Sequence, residues 1–436
     1  MSLNRKVSDA GINSIKITTL TGQVLPSIEP LIQEITILQS IDCPSVRIIL
    51  SIQDNVGLYD RLVGQEILYL DMAANNDRLI WQSNLNEIRD VTDSEKIKFY
   101  NLVFVSRESY LNDNQRLLFA YKNKKISGIV RDILKTRFGT EKKVEIESTE
   151  YTGSFICPNY RPYDFIEQLA AKAIRAGKPD QAGFLFYEAT DGFHFVSMDS
   201  LCEKKPVAKY IYQPKNVAGG NIDEDQYSLQ SFVLDSNLNL VENLAKGAYG
   251  GIFYGVDFVN LKPENNIAKR WSIESNYSRM SHLGTTNPFE QLKKVDKQIG
   301  GVARVFYNPV APHLFGDTIT RTATNQSGPI GGPTGDKIRK AMNIGGGNYE
   351  TSADARPYTI SRFLALDHIS GRCTLPGNLS IKAGDVIEIV VPRWEGDKTV
   401  PDKKHSGNYL VTGVTHVFKH PQTLKTILNI ARDSYQ

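Results

Sequence analysis

Apolar and polar residues alternate along much of the first hundred positions. In SIKITTL, Ile15 and Ile17 stand between polar neighbours, and Val46, Ile48, Leu50 and Ile52 repeat the pattern before the turn QDNVGLYD. A period of two sends successive side chains to opposite faces of a strand. QEILYLDM predicts a further strand, and KFYNLVFVS, apolar on both faces, predicts one covered from both sides. A polar stretch containing Trp81 lies between them. From about residue 12 to 108 this gives about five strands without a long helix, the pattern of a small barrel or sandwich.

Near residue 110 the period changes. Ile126, Ile129, Val130, Ile133 and Leu134 recur at helical spacing, and the run stops at Gly139. RPYDFIEQLAAKAIRAGK predicts a second amphipathic helix, with Pro162 near its start, Phe165, Ile166, Leu169 and Ala173 on one face, and Gly177 just past its end. FLFYEATDGFHFVSMDSL reads as a hairpin around Asp191 and Gly192, a pair that accepts the positive φ of a tight turn. Residues 110–205 are therefore expected to form a mixed α/β unit.

Residues 206–260 return to an extended pattern in IYQPKNV, SFVLDSNLNLVENL and GAYGGIFYGVDFVNL. From about residue 360, GDVIEIVVP, GNYLVTGVTHVF and TLKTILNIAR are strand-length runs bounded by Gly or Pro. Between these sections NQSGPIGGPTGDKIRKAMNIGGGNYETS is rich in Gly, Ser, Thr and Pro, and the stretch Thr320 to Ser352 is expected to be mobile when unbound. VGQEILYL (Val63 to Leu70) echoes AGDVIEIV (Ala383 to Val390), and strands beginning at Tyr100 and Tyr409 follow them. Either any two strands entered through a Gly-polar turn look alike, or two barrels of one design share the chain.

At 436 residues the chain exceeds a single core, so two to four compact units are expected. Its 51 Lys and Arg against 48 Asp and Glu give a formal charge of +3, too balanced for a protein whose main task is to neutralise nucleic-acid phosphates. No apolar run approaches the ~18 residues of a spanning helix, and the first twenty residues lack a signal-peptide core. A chain made and kept in a cytoplasm is expected. Cys43, Cys157, Cys202 and Cys373 are scattered without a CxxC spacing, so they are expected to be reduced and mostly buried.

No catalytic, cofactor-binding or metal-ligating constellation emerges. His416 and His420 are four apart but straddle a strand and a His-Pro step, which argues for a surface or interface role. His194 in GFHFVS reads as a packed hairpin residue. GGPTGDK (Gly331 to Lys337) lacks P-loop spacing, and Ile338 offers no hydroxyl to a magnesium ion. Glu145, Glu147, Asp223, Glu224 and Asp225 read as a solvated surface.

Three segments in order resemble one family. ICPNYRPYDFIEQLAAKAIRAG followed by GFLFYEATDGFHFVSMDSL is similar to the motif of baseplate hubs of contractile-tail phages and of the late control D and VgrG-like families: an amphipathic helix, a Phe-Tyr-Glu strand, a Gly turn, an aromatic strand and a short Ser-Leu segment. HSGNYLVTGVTHVF resembles their closing strand, and QDNVGLYDRLVGQEILYLDM a segment of their first barrel. The resemblance spans about residue 12 to 432 and is most specific over 155–201 and 405–418.

The resemblance implies an α+β chain with two tube-forming β-barrels and an intervening α/β domain. Its parts would be a first barrel over 1–109, a connector over 110–205, a second barrel over 206–260 and 357–436, and an insertion over 261–356 with the Gly-rich excursion. It further implies a homotrimer whose pseudo-sixfold ring joins a hexameric tail tube to a trimeric spike. The implied partners are the tube protein, the spike and other baseplate proteins, with genomic DNA passing transiently through the channel and no stable nucleic-acid binding. The place implied is the virion baseplate, after assembly in the host cytoplasm. The chain stops at Gln436 without the long β-helix of a VgrG-like spike, so a separate spike subunit is expected. A tail-tip cell-wall hydrolase and a receptor-binding tail protein are the other classes considered. Peptidoglycan turnover would single out the first, and sequence repeats the second.

Overall fold

The computed structural model describes residues 10–25, 27–74, 77–95, 97–178, 180–212, 227–237, 240–256, 267–290, 304–309, 352–395 and 398–436. The fold is mostly β. Residues 320–351 of the Gly-rich excursion and the acidic run 223–225 lie outside the described residues.

The first lobe is built from β1 (Ala10–Thr18), β2 (Ile32–Ser40), β3 (Arg47–Asp54), β4 (Ile67–Ala74), β5 (Asp77–Ser94) and β6 (Ile97–Val105). They pair in the order β1-β4-β5-β6-β3-β2, all antiparallel. Alternation works as expected: Ile35, Ile48, Leu50, Leu68, Leu70, Leu102 and Phe104 point into one core. The polar stretch around Trp81 is itself a strand, the 18-residue β5. Leu79, Trp81 and Leu85 are buried on one face, while Ile80 and Gln82 are exposed on the other. KFYNLVFVS forms β6, although its Phe99 is exposed and only its second half is covered on both faces.

The middle unit contains β7 (Leu117–Lys125), β8 (Lys143–Ile146), β9 (Thr152–Tyr160), β10 (Phe184–Ala189) and β11 (Gly192–Ser197). β10 and β11 form the hairpin around Asp191 and Gly192, β8 lies parallel to β11, and β7 pairs with β9 as a separate ribbon. Gly192 has φ +136, and a Cβ there would stand 2.1 Å from the Lys143 carbonyl oxygen, so only glycine fits. The Ile126–Asp132 helix continues through a wider π-helical turn, Ile133–Arg137, before Gly139 at φ +59 ends it. Its buried stripe packs with Phe165, Ile166 and Leu169 against Phe184, Phe186, Phe193 and Phe195. The second helix spans only Pro162–Ala170 and does not reach Gly177. Tertiary partners stop it: Ile174 bridges to Ala182, Arg175 bridges to Thr149, and the Arg175 side chain pairs with Glu147 and Glu203.

Then follow β12 (Ala208–Tyr212), β13 (Ser228–Leu229), β14 (Ser231–Asn237), β15 (Gly250–Val256), β16 (Ile267–Ser272), β17 (Arg304–Pro309), β18 (Ile369–Pro376), β19 (Val386–Val390), β20 (Pro392–Glu395), β21 (Lys398–Pro401), β22 (Gly407–Lys419) and β23 (Thr423–Arg432). NLVENL, expected to be extended, is largely the Leu240–Lys246 helix, where Glu242 and Lys246 form an (i, i+4) ion pair at 2.5 Å. β15 does not join β14 but makes a small sheet with β16 and β17. The Ser352–Leu366 helix, with Pro357 inside it, packs over that sheet.

β22 unites the lobes. Its residues Gly407–Leu410 pair with β19 and Gly413–Lys419 with β2, while β23 runs along its other edge. The first lobe, β12 to β14 and the C-terminal strands β18, β19, β22 and β23 therefore form one 13-stranded sheet. These ladders establish two lobes of a continuous sheet; they do not establish two closed barrels.

Candidate functional site

Two buried ionic clusters hold the parts together. In the first, Glu188 of the Phe-Tyr-Glu strand is fully buried and accepts hydrogen bonds from the Val46 backbone N–H of the first lobe at 2.9 Å and from the Ser106 hydroxyl. Lys142 donates to Glu188 at 2.6 Å and to Glu108 at 2.7 Å, and its Nζ stands 4.7 Å from the Trp81 ring centroid. Thr140 donates to the other oxygen of Glu108. Burial raises the pKa of Glu188, with Lys142 partly offsetting it. For Glu108 burial is again the largest influence and acts upward, but the Lys142 charge together with the hydrogen bonds from Lys142 and Thr140 outweighs it and the pKa falls. One ammonium thus joins β5, the helix after β6 and the hairpin.

In the second, Arg362 has no exposed surface. Its Nη1 donates to Asp433 at 2.7 Å, its Nη2 to the Ser281 carbonyl at 2.8 Å and Cys202 Sγ at 2.9 Å, and its Nε is 3.2 Å from Asp199. Tyr358 donates to Asp199 at 2.8 Å, and His282 Nδ1 lies 2.9 Å from Asp433. Burial opposes ionisation of Asp433, yet Arg362 and His282 hold its carboxyl well below the usual range. The cluster fastens the C-terminal segment to the Ser352–Leu366 helix and to the short Met198–Cys202 helix.

Neither cluster presents a nucleophile beside a base at an open surface, and among the described residues no group of three or more His, Cys, Asp and Glu is placed to hold a metal ion. His194 is packed in the hairpin, stacked on Tyr187 at 4.8 Å between ring centroids, 2.9 Å from Asp191 and 3.2 Å from Glu145. His416, expected at a surface or interface, is instead wholly buried in β22, because the alternation of GVTHVF turns it inward toward Thr426 at 3.0 Å. Glu147 is not a solvated group either; it accepts from Arg175 and from the Ser197 N–H. Cys157, Cys202 and Cys373 are buried thiols, and Cys43 is half-buried. Gly331 to Ile338 lie outside the described residues.

Sequence reasoning missed Glu108, Lys142, Asp199, Arg362 and Asp433, whose partners in these clusters lie 32 to 163 positions away. Glu188 had a signal, its place in the Phe-Tyr-Glu strand.

What remains open to partners is strand edge and apolar surface. β4 covers β5 only as far as Asn84, so the distal part of β5 is paired on one side alone. The β7–β9 ribbon exposes Leu118 and Ile156, at 74% and 71%. Tyr307 of β17 is also exposed, stacked on Tyr254.

No family model matches the chain. Over 95 residues it is 30% identical to a probable baseplate hub protein of Vibrio phage KVP40, a match spanning 22% of this chain and 22% of that relative. Two solved structures share the fold: the 43 kDa tail protein of prophage MuSo2 from Shewanella oneidensis, with TM-score 0.55 at 10% identity over 97% of this chain and 99% of that one, and a tail protein from Neisseria meningitidis MC58, with TM-score 0.54 at 9% identity over 97% of each chain. In fold along nearly its whole length the chain is similar to two tail proteins, one of them from a prophage, and in sequence over one segment to a probable baseplate hub protein.

Proposed function

We propose that the chain is a structural baseplate hub subunit that forms a trimeric, pseudo-sixfold ring between a hexameric tail tube and a trimeric spike. The observation that supports this most is the near-complete fold match to a tail protein, 97% of this chain against 99% of the other. The four-part division into first barrel, connector, second barrel and insertion belongs to the same proposal.

The pairings favour a barrel in the second lobe. Ladders run from β12 through β19, β22, β23 and β18 to β14. β13, separated from β14 by Gln230 alone, pairs back onto β12. The echo between the lobes also has a structural counterpart: Gly64 and Gly384 enter β4 and β19 at φ +97 and +86, and Glu66 and Asp385 each accept turn N–H groups. Two similar lobes in each of three chains would present six to the tube. The site chemistry favours assembly over hydrolysis, since its charged groups are spent on one another in the interior. The tube, the spike, other baseplate proteins and the DNA in transit are the proposed contacts, and the virion baseplate the proposed location.

Light scattering across a concentration series, with the cognate spike protein and without it, tests the ring. A trimer with an axial opening in negative stain is expected; a strictly monomeric or dimeric particle in both settings overturns the proposal. Saturable peptidoglycan turnover that one point substitution abolishes would overturn the non-enzymatic part.

A further inference from the structure

The net charge of +3 conceals a segregation along the chain. Residues 10–105, the first lobe, contain 12 Asp and Glu against 7 Lys and Arg, whereas residues 106–143 contain 10 Lys and Arg against 4 Asp and Glu. Each excess has an exposed outlet. On the first lobe it is the distal part of β5, where Glu87, Asp90 and Asp93 are exposed around Val91, itself 46% exposed, on a strand whose outer edge has no ladder. On the middle unit it is the β7–β9 ribbon, where Arg116, Lys122, Lys124 and Lys125 are exposed around Leu118 and Ile156. Glu87, Asp93, Lys122, Lys124 and Lys125 form no ion pair with another described residue. Asp90 is partnered within its own lobe, by Arg89 at 3.6 Å and Asn101 at 2.8 Å, so the charge open to a partner is that of Glu87 and Asp93 on one surface and of the three lysines on the other.

We propose that the occupant of the ribbon is a second copy of this chain, whose acidic β5 arm lies on the basic β7–β9 ribbon of its neighbour. The two surfaces are different patches, so the contact is head-to-tail, the type that closes into a ring. Opposite charge fixes the register and excludes arm-on-arm and ribbon-on-ribbon pairing, while Val91, Leu118 and Ile156 supply the apolar centre. The unpaired edge of β5 offers backbone groups to the same contact. This rests on the ring reading above and names the residues that would make it.

Charge reversal in the full chain tests the contact. Lys122→Glu/Lys124→Glu/Lys125→Glu on the ribbon and Glu87→Lys/Asp93→Lys on the arm are surface changes, and circular dichroism checks that each variant folds. Each set alone is expected to lower the scattering mass to that of a single chain at concentrations where the unaltered protein is assembled. Combining both sets is expected to restore the larger particle. If the unaltered chain assembles and both variants assemble equally well, the contact is overturned and the ring reading stands. Variants that assemble but lose the spike or tube protein would assign these surfaces to those partners and overturn it likewise. An unaltered chain that is monomeric both alone and with the spike protein would remove both readings.

Discussion

His416 has no exposed ring surface, and His368 lies against Phe289 with both ring nitrogens unbonded. Burial pushes both well below the ordinary 6.5, to about 4. Between these values the unfolded chain takes up protons that the folded chain refuses, so stability is expected to fall as pH drops from about 6.5 toward 4. Glu188 acts in the opposite sense, since its raised pKa favours the folded state as pH falls. Comparing urea midpoints of the unaltered protein and His416→Gln across that window isolates the histidine, and the variant should show the flatter slope. Lys142 sits between two buried carboxylates, and Lys142→Ala leaves both without their cation. A loss of about 3–5 kcal/mol is expected from urea unfolding. Glu188→Gln should cost less than Lys142→Ala, because it removes a charge that burial already disfavours.

At the scale of elements, the hairpin β10–β11 is legible in the sequence because the turn pair, the aromatic runs and the strand lengths agree. Its Gly192 is a sharp test: Gly192→Ala should destabilise by more than about 1 kcal/mol, read as a lower melting temperature, with a control at Gly128, where a Cβ meets nothing within 4 Å. β5 is not legible as a strand, because its inward face includes Ser83 and its distal residues are polar on both sides. The helix beginning at Pro162 is shorter than its pattern predicts, because Ala173 and Ile174 continue the apolar spacing beyond its end. Their burial is real but served by a turn and a bridge, a tertiary choice that local spacing does not encode. The Ser352–Leu366 helix is hidden by Pro357 and by the Gly-rich segment before it. The ionic clusters are invisible for a simpler reason: pairs such as Arg362 and Asp199 are brought together only by the completed fold.

Across the whole molecule, Arg362 is the one cation between Asp199 of the middle unit and Asp433 near the C-terminus among the described residues. Arg362→Met is expected to lower stability by about 3–5 kcal/mol and to speed proteolysis of the C-terminal strands, while Lys425→Met, on the outward side of β23, should do neither. Equal sensitivity of the two variants would show that the cluster does not fasten the C-terminal segment to the middle unit.

β2 and its partner β22 also set an order of events during synthesis. Ser40 bonds to Thr412, 372 positions later, and Glu34 to Ser40 pair with Gly413 to Lys419. At ~5–20 residues per second, the ribosome would leave that edge of β2 unpaired for roughly 20 to 80 seconds. The first lobe can form its own core early, but its seam stays open until β22 is made. A nascent chain halted before Gly407 should therefore expose β2 to proteases and to mispairing with other nascent chains, whatever the stability of the finished protein.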